Sequence, residues 1–211
     1  MSYELAMFPL GLVVVPGQVV PLHVFEPRYR ALMQHCIDQA DTENGPTFGI
    51  VLIRQGFEVG GGESRHDVGT STRIVKLGRF PDGRFALETV GTHRVSILEW
   101  LEDDPYPRAI VTDLADTSGD GVELLMTRVI SQLRRVLGRA AEAGHEVAPA
   151  TFMLPDDPLA ASYAAVAHAP LATPDKQRLL EAPGPLERFG ELAVMLDGWE
   201  SMLSLSGGGG C

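Results

Sequence analysis

Apolar and polar positions follow two different rhythms along the 211-residue chain, and the change falls near Ala115. Before it, short β-branched runs alternate with glycine, proline and aspartate, the punctuation of strands and turns. Leu5 to Val15, Pro16-Gly17 and Val19 to Phe25 predict an early β-turn-β unit. Glu26-Pro27 then opens a helix, where Tyr29, Leu32, Met33, Cys36, Ile37 and Ala40 recur at spacings of three and four and so share one face. After the turn-rich Asp41 to Pro46, Phe48 to Ile53 reads as a buried strand and Gly56 to Gly69 as a long surface loop. Thr70 to Phe80, the Pro81-Asp82-Gly83 turn, Arg84 to Val90 and His93 to Trp100 predict a meander, and Arg108 to Leu114 adds a strand. About six strands with one packed helix predict a closed or nearly closed barrel, which removes exposed sheet edges.

Beyond Ala115 the period is helical. Val122, Leu125, Met126, Val129, Ile130, Leu133, Val136, Leu137 and Ala140 trace one face of a helix about five turns long. Asp156-Asp157-Pro158 supplies cap and first-turn residues for a helix to about His168, Pro174 opens a short one, and Pro185 opens another to about Leu205. The expected class is α+β, with a β-barrel subdomain over 1–115, a small helical bundle over 116–206 and a disordered tail over 207–211. The tail, four glycines and Cys211, stays out of the fold reasoning.

Composition changes this picture only by excluding partners. Seventeen basic and twenty-eight acidic side chains give a formal charge of −11, the wrong sign for neutralising phosphates, so nucleic acid is a poor candidate. Fifteen of the cations are arginine and only Lys76 and Lys176 are lysine, which leaves room for a local arginine patch. No apolar run approaches the ~20 residues of a membrane helix, and the first residues lack a signal-peptide pattern, so a cytoplasmic protein is expected. Cys36 and Cys211 offer neither a disulfide framework nor metal spacing.

Candidate chemistry is thin. The six histidines form no HxH, HExxH or Cys/His cluster, so no metal is expected; His93 is read as turned toward Arg94 or a strand carbonyl, and His23 as a structural residue of an apolar strand. Gly56 and Gly61 have phosphate-loop spacing, but Gly62 and Glu63 stand where lysine and a hydroxyl are needed. With two lysines and no GxSxG elbow, neither a Ser-Lys dyad nor a Ser-His-Asp triad is indicated; no catalytic residue and no cofactor are assigned. The glycines of Val68-Gly69-Thr70 and Val90-Gly91-Thr92 are read as geometric, and Glu26 and Arg28 as helix-start and solvated charges. The Gly56 to Asp67 loop is either a mobile recognition loop or plain disorder, with Phe57, Arg65 and His66 as its contacts. Trp100, ahead of Glu102-Asp103-Asp104, is either an aromatic hot spot beside an acidic rim or a rim tryptophan of the core.

Several segments in order carry a resemblance: Met7-Phe8-Pro9-Leu10, Val14-Val15-Pro16-Gly17, Pro21 to Tyr29 (PLHVFEPRY), Phe48 to Leu52, Pro81 to Arg84, Val90 to Arg94 and Asp175 to Leu180 (DKQRLL). Together they resemble the Lon protease N-terminal domain family over most of residues 5–205. The resemblance implies a PUA-like barrel followed by helices, a free-standing module without ATPase or peptidase machinery. Its implied partner is an unfolded polypeptide or a protein, in a role such as adaptor or regulator of proteolysis. A small-molecule-binding protein or an enzyme with a cleft at the barrel and helix junction is the alternative.

Overall fold

The computed structural model describes residues 1–39, 45–59, 62–118 and 121–207. It places six strands and five helices in the order β1 (Ser2–Leu10), β2 (Val19–Val24), α1 (Pro27–Asp38), β3 (Thr47–Gln55), β4 (Ser64–Arg79), β5 (Phe85–Trp100), β6 (Arg108–Asp113), α2 (Val122–Glu142), α3 (Pro158–His168), α4 (Thr173–Glu181) and α5 (Pro185–Gly207). Backbone contacts group the chain into two compact units that part between Ala115 and Asp116.

In the first unit the strand order is β2-β5-β4-β3-β1-β6, and β5 pairs β6 as well, so five strands close into a ring and β2 hangs on β5. β1 supplies alternate residues to two cores, as strand alternation requires. Leu5 and Met7 join Val51, Val95, Ile97, Ala109 and Val111, while Ala6, Phe8 and Leu10 join Phe48, Ile50, Leu87 and the buried α1 residues Tyr29, Leu32, Met33 and Cys36. Each large apolar side chain buried in this way contributes about 1.5–3 kcal/mol. Burial also pushes the Cys36 thiol up to about 12, so it stays protonated and unreactive at neutral pH.

Three expectations are corrected here. The early β-turn-β unit is not a hairpin: β1 pairs β3 in parallel and β6 in antiparallel, whereas β2 pairs β5. Pro16-Gly17 instead anchors on β5, with Gly17 N donating to Gly91 O and Gly91 N to Gln18 O. The three-strand meander is one hairpin of two 16-residue strands around the Pro81-Asp82-Gly83 turn. Register shifts between Ser71 and Thr72 and between Ile74 and Lys76 bend that hairpin, and bending lets one edge of β5 serve two partners. Its first half, Phe85–Val90, takes β2, and its second, Val95–Trp100, takes β6. Finally, the loop after Gly56 is shorter than expected, because β4 already begins at Ser64 and takes in Arg65 and His66.

In the second unit α2 buries Val122, Val129, Leu133, Val136, Leu137 and Ala140, mainly against α5. Asp157 caps α3 by accepting from Ala160 N at 2.8 Å, and proline opens α3 and α4. Of the remaining expectations, Ala40 on the helix face, 41–44 of the predicted turn, Gly60 and Gly61 of the glycine run and residues 208–211 of the tail lie outside the described residues; Gly207, expected in the tail, closes α5.

Candidate functional site

The residues singled out in the sequence divide into one assembled group and one outlier. Arg65, at the start of β4, is held by carboxylates on both sides: its Nε donates to Glu63 Oε1 at 2.9 Å, and its Nη2 lies 3.0 Å from Asp103 Oδ2. Its guanidinium covers the Trp100 ring at 4.5 Å. Burial alone would lower the Arg65 pKa, but bonds to Asp103 and Glu63 outweigh it and the net shift is upward. Trp100 packs on the barrel-interior core with Tyr3, so its indole is clamped between that core and Arg65. His66 is half-buried in β4, inside a break in register with β3. Phe57 stands apart from them, 84% exposed, with no ring contact among the described residues.

The base of the Phe57 loop is tightly built. Gly56 has φ +112, and a side chain there would press on the Glu63 backbone. Glu58 accepts from Gly11 N, and its carbonyl accepts from Arg28 Nη2 at 3.1 Å. Arg28 also pairs with Glu26 at 3.3 Å and lies over the Tyr29 ring, so this pair from the Phe-Glu-Pro-Arg-Tyr stretch is engaged in holding the loop to α1. Phe57 is thus an exposed apolar side chain on a pinned loop.

A second constellation was not foreseen. A cleft of about 710 Å³ opens on the first unit, lined by residues of β1, α1, β4, β5 and β6. At one end Tyr3 Oη donates to Asp113 Oδ1 at 2.8 Å, and His93 Nε2 lies 3.1 Å from the same oxygen. His93 Nδ1 is 3.1 Å from Thr92 Oγ1. The histidine therefore faces Tyr3, Asp113 and Thr92, where Arg94 or a strand carbonyl was expected. Burial first, then the bond to Asp113, hold the Tyr3 pKa well above its ordinary value, so Tyr3 remains a donor at neutral pH. Further along, Arg108 pairs with Glu4 at 3.1 Å, and Tyr106 meets the His35 ring at 5.9 Å. Strand alternation held the signal: Tyr3, His93 and Asp113 each continue the inward register of Leu5-Met7, Val95-Ile97 and Ala109-Val111, which makes them polar ends of apolar rows.

No group of three His, Cys, Asp or Glu is placed to hold a metal ion among the described residues. Lys76 lies exposed on β4 beside Glu88, and Lys176 on α4 donates to the Ala167 carbonyl. No described helix is long and apolar enough to cross a membrane.

The profile of the ATP-dependent protease La (LON) substrate-binding domain matches residues 4–198. The chain belongs to that family. Its relatives include the Lon protease of Heliobacterium modesticaldum, 28% identical over 199 residues, and that of Brevibacillus choshinensis, 27% identical over 212. These alignments take in 92% and 96% of this chain but 24% and 26% of the relatives, so the chain spans about a quarter of their length. Among solved structures, the Lon N-terminal domain protein from Xanthomonas campestris superposes with a TM-score of 0.64 at 24% identity, covering 91% of this chain and 98% of that one. The N-terminal domain of the Mycobacterium avium complex Lon protease gives 0.67 at 20% identity, with 94% and 98% covered. The α+β fold, a PUA-like barrel followed by helices, is that of the Lon N-terminal domain.

Proposed function

We propose that this protein binds non-native polypeptide, working as a barrel subdomain over 1–115 and a helical subdomain over 116–206, in the manner of an adaptor or regulator of proteolysis. The observation that carries the reading is the match to a substrate-binding domain over residues 4–198. The matched region is the one that, in Lon proteases, is named for substrate binding rather than for ATP hydrolysis or peptide cleavage. The expected partner is an unfolded chain or a protein in the cytoplasm, and no cofactor enters the reading.

Phe57 is the first contact in this account, since it presents an apolar ring to solvent from a pinned loop, so little loop ordering is lost on binding. The exposed part of Trp100 and the half-buried His66 complete the contact, with Arg65 holding Trp100 in place. In a fluorescence-anisotropy titration with a labelled unfolded polypeptide, Phe57→Ser weakens binding by about five- to thirtyfold, the loss expected of an aromatic interface residue worth about 1–2 kcal/mol. The unfolding midpoint stays where it was, because the removed ring is exposed. Unchanged affinity in a folded Phe57→Ser protein removes the loop from the contact.

A further inference from the structure

We infer that the cleft on the barrel unit binds an extended peptide segment carrying an acidic and a basic side chain about three or four residues apart, the acidic one at Arg73 and the basic one at Asp104. The inference rests on the polypeptide-binding reading and adds to it a second location, apart from the Phe57 loop, and a charge pattern.

The charges of the cleft wall decide the pattern. Glu4 is neutralised by Arg108, and Asp113 is bonded to Tyr3 and faces His93. Arg73 and Asp104 line the same cleft, both exposed, and neither side-chain charge has an ion-pair partner among the described residues. They are opposite in sign, so one ligand meeting both must itself carry both signs.

Strand order places the two charges on opposite flanks of β1. Arg108 is level with Ala6 on β1, and Met7 N donates to Pro107 O, which brings the segment with Asp104 and Tyr106 to the Ala6 end. On the other flank β3 lies between β1 and β4, and Arg73 of β4 is level with Thr47 of β3. The wall between them includes Tyr3, Glu4, Leu5 and Ala6. From β4 through β3 and β1 to β6 are three inter-strand spacings, about 14 Å along the curved sheet, a span that an extended ligand covers in about four residues.

Shape and lining fit a peptide better than a compact apolar molecule. The volume, about 710 Å³, lies within the range of ligand sites. Its Thr, His, Tyr and Gln side chains offer hydrogen-bond partners to peptide N–H and C=O groups, which an extended segment must satisfy as it leaves water.

The test uses end-capped fluorescent heptapeptides of serine and alanine: one with glutamate four residues before lysine, one with that order reversed and one with neither charge. A long unfolded polypeptide serves as a fourth probe. The wild-type protein is predicted to bind one charged polarity at least about fivefold better than the uncharged peptide, as two modest exposed ion pairs allow. The double substitution R73E and D104K, at two exposed positions, is predicted to keep the circular dichroism spectrum and invert the preferred polarity. Binding of the unfolded polypeptide without any charge preference among the peptides overturns the cleft assignment and leaves polypeptide binding standing. Failure of every probe to bind overturns both. If the double variant does not fold, the peptide preference of the wild-type protein alone still decides the matter.

Discussion

Arg188 carries a positive charge into the helical unit with none of its side chain exposed, a position that desolvation makes costly unless every donor is matched. Its Nε donates to Leu179 O and Nη1 to Ser162 Oγ, while Nη2 reaches Asp116 Oδ1 at 2.7 Å, Tyr163 Oη and Ala182 O. The guanidinium, on α5, thus ties the start of the unit to α3 and to the C-terminal end of α4. Arg188→Met keeps the length and the helix but abandons Asp116, and is expected to cost about 3–5 kcal/mol. Urea denaturation followed by circular dichroism reads this directly; a midpoint equal to wild type contradicts the pinning role. None of this was legible in the sequence, because the partners stand up to 72 positions away and converge only when the helices pack. The glycines were legible: a side chain on Gly69 would strike the Ile50 carbonyl and one on Gly91 the Val15 carbonyl, so both permit close backbone approach, as their setting between strand residues suggested.

At the scale of elements, regular periods predicted best. The face of α2, the proline starts of α3 to α5 and the apolar face of α1 follow from spacing alone. The pairing of β1, β2 and β5 does not, since it depends on bulges that bend a long hairpin and on a parallel crossover through α1. Three contacts with a constant separation of 65 positions, Gln132 to Asp197, Arg135 to Glu200 and Arg139 to Ser204, tie α2 to α5 along their length. They also fix the two helices as running the same way. Elsewhere in the bundle His168 stacks on Phe152 at 4.5 Å. Burial, and then the nearby Lys176, hold the His168 pKa below its ordinary value. The unfolded chain therefore takes up this proton at a higher pH than the folded one. Stability falls as the pH drops from about 6.5 to the folded pKa, and no further below it. His168→Gln removes that component, so the stability gap between wild type and variant should narrow on acidification from pH 7.5 to 5 in matched urea titrations. A gap independent of pH contradicts the assignment.

For the whole molecule, the order of short motifs along the sequence located the fold and family, while the cleft stayed hidden because Tyr3 and Asp113 are 110 positions apart. Of the residues picked from sequence, Arg65 and Trp100 meet through the return of β5 beside β4, and Phe57 remains an exposed side chain of its loop. A net charge of −11 disfavours polyanions as partners, which agrees with the polypeptide partner proposed above. The most direct test is an anisotropy titration of one labelled polypeptide in two states, native and irreversibly unfolded by reduction and carboxymethylation, at physiological salt. The account predicts saturable binding of the unfolded form alone; equal binding of both forms, or of neither, contradicts it.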